Sequence, residues 1–343
     1  QPANDYLSWE KNATWNVGLD FGFLNRIRGQ VDVYSRKTLD MLLAKQIPQT
    51  TGYSSLTMNT GSMKNEGVEF QIDGDIFAKK HFSWNVGFNI AFNKSIVDDL
   101  GDDTWMTASY DSRLRHIVGH DFYTFYLKDY AGVNPSNGEG LWWHHEYGKN
   151  EDGTDNLDDI VSSTLTSDYN QSSYIYAGSP EPKATGGFNT NVAWKGFELG
   201  AFFEFKTGNM VFLAENRYLQ ADGNQMTMNQ SNSALNYWKA PGDTGVNPKP
   251  VAGNSSNSYN IGSTRYLQKG DYLRIKDVTL AYNLPEKALK AIKMKNVKVY
   301  VSALNPYTFH DVDFYDPERG AEGMGFGIYP QTKSFVGGIE LTF

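Results

Sequence analysis

The sequence predicts an all-β fold, an antiparallel β-barrel that crosses a membrane, and three observations carry that expectation. Segments of about 10 to 14 residues alternate apolar with small polar side chains, longer than the usual soluble strand. The connections between them fall into a short class and a long class. Aromatic residues are abundant, with 21 Tyr, 20 Phe and 8 Trp in 343 residues, and the last residue is Phe343.

In chain order, Trp15, Val17, Leu19, Phe21 and Phe23 alternate with Asn16, Gly18, Asp20 and Gly22. A strand projects successive side chains to opposite faces, so this run has one apolar face and one polar face. Val68, Phe70 and Ile72 alternate in the same way with Glu69, Gln71 and Asp73. The clearest run is Phe82 to Asn93, where Phe82, Trp84, Val86, Phe88, Ile90 and Phe92 occupy every second position. Phe188 to Trp194, Leu199 to Phe205 and Val297 to Ala303 repeat the pattern, and Ile339, Leu341 and Phe343 share one face at the end. Strands are expected near 9–23, 25–37, 64–76, 82–94, 122–132, 139–148, 185–195, 197–207, 270–284, 296–307 and 332–343, about eleven in all.

The short connections are 23–26, 78–81, 134–139 and 195–196, and the long polar ones lie near 38–63, 95–121, 149–184, 208–269 and 308–331. The stretch 285–295 is expected to be a turn built as a short helix opening at Pro285. Short turns on one side and long loops on the other mark a barrel of the bacterial outer membrane. Single-chain barrels there have an even strand count. An odd count therefore predicts that residues 1–343 are one part of a larger barrel. Alone, the sheet leaves two edges in lipid, where each orphan backbone group costs several kcal/mol.

Composition narrows the function classes. The chain has 31 Lys and Arg against 39 Asp and Glu, a net charge of −8, which argues against a dedicated nucleic-acid binder. It has no cysteine, which excludes disulfides, thiolate metal sites and cysteine nucleophiles. It has no run of about 20 apolar residues either, so no transmembrane helix is expected. A barrel spreads its lipid face over alternate residues and escapes that test.

Few residues suggest chemistry. His144 and His145 are adjacent, so on a strand they point to opposite faces and do not chelate together. The acidic run 150–159 has the oxygen density of a calcium loop, with Asp152, Asp155 and Asp158 as weak candidate ligands. It lacks the register of an EF-hand, and no cofactor is expected. The six histidines, His81, His116, His120, His144, His145 and His310, stand in no recognisable nucleophile motif, so no enzyme is expected. Trp105, Tyr110, Tyr218, Tyr237, Trp238 and Tyr259 fall in the long loops and are the candidate contacts for a substrate or a lid protein. Gly338, Leu341 and Phe343 form a candidate signal for membrane assembly.

A set of ordered segments then carries a resemblance. They include Val31-Asp32-Val33-Tyr34, Asn59-Thr60-Gly61-Ser62-Met63-Lys64-Asn65-Glu66-Gly67 and Ala131-Gly132-Val133-Asn134-Pro135. They continue with Gly178-Ser179-Pro180-Glu181-Pro182, Tyr272-Leu273-Arg274-Ile275-Lys276-Asp277-Val278, Ala303-Leu304-Asn305-Pro306-Tyr307 and Tyr315-Asp316-Pro317-Glu318. In this order they resemble the SusC/RagA-type TonB-dependent transporters. That resemblance implies a barrel of about 22 strands, of which residues 1–343 are the C-terminal half, with the N-terminal plug and first barrel half outside this chain. It also implies import of oligosaccharides or oligopeptides together with a SusD-like surface lipoprotein, driven by TonB acting on the plug. The alternatives are a siderophore or vitamin receptor of the same class, a passive porin, a barrel enzyme, or a soluble carbohydrate-binding β protein.

Overall fold

The computed structural model describes residues 2–225, 227–253, 258, 262–313 and 315–343. Its main element is one antiparallel sheet of nine strands in sequential order among the described residues. The strands are β1 (Lys11–Phe23), β2 (Ile27–Leu39), β3 (Ser62–Lys79), β4 (Phe82–Asp99), β5 (Ala184–Trp194), β6 (Phe197–Thr207), β7 (Tyr272–Asn283), β8 (Asn296–His310) and β9 (Ser334–Thr342).

Register turns the alternation of each strand into continuous faces. Leu19 pairs with Val31, Val31 with Phe70, Phe70 with Ile90, and Ile90 with Gly186. Two residues along, Phe21, Gly29, Ile72, Phe88, Phe188 and Phe203 form the next row. Large apolar side chains on this face remain exposed: Leu19 is 64% accessible, Val301 58% and Ile339 66%. A one-residue slip exchanges every side chain between faces, so the register fixes the inside and the outside together along each unbroken stretch, with bulges at Asp75/Phe77, Phe202/Phe203 and Ile275/Asp277 re-setting it. The opposite face carries Asp20, Gln30, Gln71 and Asn89 in one row and Arg28, Asp73, Gly87 and Asn189 in the next. Apolar side chains open to the surroundings outside and hydrogen-bonding groups inside are the two faces of a membrane barrel wall.

Glycines on the inner face make room for aromatic rings from the neighbouring strand. Tyr34 lies over its cross-strand partner Gly67, where an added Cβ would stand 2.4 Å from the phenol oxygen. Tyr300 covers Gly338 in the same way, at 2.5 Å from the ring. Each ring fills the space left by its glycine and shields that stretch of backbone.

The connections alternate strictly. Residues 24–26, 80–81, 195–196 and 284–295 are short, whereas 40–61, 100–183, 208–271 and 311–333 are long. The expected helix at 285–295 is present as α1 (Glu286–Ile292), following Pro285 and ending at Lys293 in the left-handed conformation. Two expected strands, 122–132 and 139–148, are not in the wall. Their residues form Thr124–Lys128, Tyr130–Val133 and Gly140–Lys149, which belong to two small separate sheets within the 100–183 connection. Among the described residues the wall therefore has nine strands rather than eleven, and the 134–139 turn lies on the long-loop side. The cause is burial: Phe125, Leu127 and Trp142 pack into a water-excluded core and are fully inaccessible. The wall's apolar side chains face outward instead.

Candidate functional site

The long loops fold into a structured cap on one rim of the wall. A buried cluster joins three of them, with Leu114, Phe125 and Leu127 from 100–183, Phe212 and Tyr266 from 208–271, and Met324 from 311–333. Burying such side chains contributes about 1.5–3 kcal/mol each, which explains how segments this long hold one shape.

Ion pairs pin the cap to the wall and to itself. Arg274 of β7 is fully buried and donates to Asp316 and Glu318, the latter at 3.0 Å. Burial raises the Asp316 pKa, but hydrogen bonds from the Glu318 and Gln331 amides and from Arg274 outweigh it, leaving the carboxyl below its usual range. Arg265 pairs with Asp222, both nearly inaccessible, and Arg319 reaches Glu215 at 3.4 Å. Burial beside this cluster pushes the Tyr130 phenol up to about 12.

Several concave spaces open between the cap and the wall or within the cap, and two of them bring charged and aromatic groups together. The first, of about 580 Å³, lies at the mouth of the inner face and is lined by Asn93, Tyr123, Glu181, Lys206, Asn209 and Arg319 among others. Burial pushes the Glu181 carboxyl up despite its hydrogen bond with Ser95. The second, of about 710 Å³, lies in the 100–183 connection and includes Trp105, Arg115, His120, Tyr126, Asp158 and Tyr176. There the Arg115 guanidinium is stacked between two rings, 3.6 Å from the Trp105 centroid and 3.3 Å from that of Tyr126. Tyr126 also stacks on Tyr174 at 4.4 Å, and the His120 Nε2–H donates to the Asp158 carboxylate at 2.9 Å. Stacked rings beside a fixed cation and an acidic edge offer both flat faces and hydrogen-bonding groups to a polar oligomer.

The aromatic residues singled out from sequence do not form one site. Trp105 lines the second space and Tyr110 is exposed on the loop beyond it. Tyr218 meets Phe326 edge-on at 5.7 Å, and Tyr237 lies under Lys239. Trp238 is buried, and its indole N–H donates to the Pro135 carbonyl at 3.1 Å, so it joins two loops. Tyr259 lies outside the described residues. Gly138, at φ +82° in the hairpin beneath Trp238, leaves 2.7 Å between an added Cβ and the indole. Gly138→Val is expected to cost about 1–3 kcal/mol through overpacking and backbone strain. A red-shifted Trp emission and faster proteolysis of the 208–271 loop are the readouts.

The three candidate calcium ligands all border the second space, and each carboxylate is engaged by other groups of the protein. Asp152 accepts from the Thr154 amide and hydroxyl, Asp155 from Lys149, and Asp158 takes His120. No group of three acidic or histidine side chains suited to a metal occurs among the described residues. His144 and His145 diverge as the alternation requires: His144 bonds the Gln171 carbonyl, whereas His145 meets Asp129 through Nε2 and Ser163 through Nδ1. A hydrolase triad uses the two nitrogens in the opposite sense, so His145 reads as a brace between strands. Leu341 and Phe343 of the candidate assembly signal are exposed, Leu341 on the outer face.

The wall now has a lipid-facing exterior, a hydrated interior and a folded cap, and known proteins share this construction. Residues 1–190 match the description "TonB dependent receptor-like, beta-barrel". The chain belongs to that family. SusC of Bacteroides thetaiotaomicron is 30% identical over 99% of this chain and 32% of its own length. TonB-dependent receptor P3 of Formosa agariphila is 28% identical over 99% of this chain and 35% of its own. The solved RagAB peptide transporter superposes with a TM-score of 0.83 at 30% identity, covering 98% of this chain and 36% of that one. This chain thus spans about a third of the length of these relatives. Members of the family lie in the bacterial outer membrane, which places the short turns in the periplasm and the cap outside the cell.

Proposed function

We propose that this chain forms part of a TonB-dependent importer that takes up oligosaccharides or oligopeptides with a SusD-like surface lipoprotein acting as a lid. The carrying observation is the folded cap over a polar-lined wall, with concave spaces of about 580 and 710 Å³ at its rim. Spaces of that size accept several linked sugar or amino-acid units. The likeness to SusC and to the RagAB peptide transporter supports the reading, the second of these being a transporter of peptides. The nine strands are read as one arc of a larger barrel, because β1 and β9 each leave one edge unpaired among the described residues and lipid does not tolerate free edges. The plug and the remaining strands complete that barrel, and energy from TonB reaches the substrate through the plug. No cofactor takes part.

The test is uptake of labelled oligosaccharide and oligopeptide pools by cells with the gene, without it, and without TonB. Uptake of one pool is expected to fall to background in both deletions. Equal uptake with and without TonB would overturn TonB-driven import. Trp105→Ala is expected to weaken apparent uptake affinity roughly three- to tenfold, the scale of one lost aromatic stacking contact.

A further inference from the structure

The periplasmic rim carries a charge pattern that transport does not use. Arg26 sits in the turn between β1 and β2, Lys79 and Lys80 at the turn between β3 and β4, and Lys195 in the turn between β5 and β6. The α1 connection adds Lys287, Lys290, Lys293 and Lys295, all exposed. Against these eight basic residues the same four connections and their flanking positions hold one acid, Glu286. The whole chain carries 31 basic and 39 acidic residues, so the rest of it is far more acidic than the overall −8. Among the described residues only Lys290 of the eight has a carboxylate partner, Glu286 at 2.7 Å.

The rim is also continuous with the lipid-facing belt. Phe23, Trp194 and Phe197 stand exposed at the strand ends beside the turns, and Ile292 of α1 is exposed as well. Lys195 Nζ lies 5.1 Å from the Trp194 ring centroid and Lys79 Nζ 6.0 Å from that of Phe77. A lysine folded against a lipid-facing aromatic keeps its stem in the apolar zone and its ammonium at headgroup level. We infer that this rim is a docking surface for the anionic phospholipid headgroups of the periplasmic leaflet. A soluble acidic partner has no need of the exposed aromatics and Ile292, whereas a phospholipid satisfies both halves of the surface at once. The assignment rests on the outer-membrane orientation used for the proposed function. Each lysine near an anionic membrane surface strengthens its attraction by about fivefold, and the attraction is screened over a Debye length.

The experiment uses the complete transporter, extracted from its own outer membrane and placed in nanodiscs of phosphatidylcholine with or without phosphatidylglycerol. Retained lipid is counted by native mass spectrometry, and folding is checked by heat-modifiable gel migration. The test variant is K287Q/K290Q/K293Q/K295Q, and the control is K11Q/K37Q/K45Q/K64Q on the opposite side of the wall. The wild type and the control are expected to retain phosphatidylglycerol preferentially. The test variant is expected to lose at least tenfold of that preference, and added salt to erase it in all three. Equal retention by the folded test variant and the wild type overturns the inference while leaving the orientation standing. Loss in the control variant alone overturns both, because it places the other rim at the anionic leaflet.

Discussion

Arg274→Ala is expected to release the 311–333 loop from the wall and to cost about 3–5 kcal/mol of local stability, the scale of breaking a buried ion pair from one side. Arg274 is fully inaccessible and holds two carboxylates, Asp316 and Glu318, whose side chains are 11% and 28% accessible. Removing the cation leaves both acids partly desolvated and mutually repelling. The loop can relieve this only by moving toward water, and Met324, packed in the cap core, moves with it. Amide hydrogen exchange across 311–333 measures the release. Arg274→Met with Asp316→Asn and Glu318→Gln is expected to recover much of the protection, since removing all three charges leaves none buried alone. Acid should imitate the single mutant. The Asp316 pKa is depressed in the folded cap, so its contribution is present above its unfolded value and is lost as pH falls through the folded one. Exchange that stays slow in R274A, or that is indifferent to acid in the wild type, would show that the loop is held by packing alone.

That anchor also marks the limit of what could be read from sequence. The motifs around Arg274 and around Tyr315-Asp316-Pro317-Glu318 were both visible as family-like segments, but their pairing across 42 residues was not. Strand alternation reports only that a segment has two unlike faces. It located all nine wall strands within a few residues, because lipid on one side and water on the other impose period two over long runs. The same pattern in Phe125, Leu127 and Trp142 arises from a loop core that excludes water, and nothing local separates the two cases. For the same reason Trp105 and Trp238 looked equivalent as exposed-loop aromatics. One borders an open space and the other bonds a carbonyl 103 residues away. The stacked Arg115 was missed because its rings come from separate strands, Trp105–Thr107 and Thr124–Lys128, and no spacing rule links them.

The face assignment itself makes the second large prediction. Phe88 lies near the middle of β4, pairs with Phe188 and Ile72, and stacks on Phe205 at 6.4 Å in the outward belt. Asn89, the next residue, pairs with Gln71 and Gly187 on the inner face. Phe88→Arg is expected to destabilise the folded barrel by about 2–4 kcal/mol, the cost of an arginine at the bilayer midplane. Asn89→Arg should cost well under half of that, because its guanidinium enters a hydrated interior beside a glycine. Urea unfolding of the complete transporter in lipid vesicles compares the two. The substitutions are one residue apart in the same strand, so propensity and position along the sheet nearly cancel and the difference isolates the medium each face meets. A larger penalty at Asn89 than at Phe88 would invert the wall and place the polar rows on its outside.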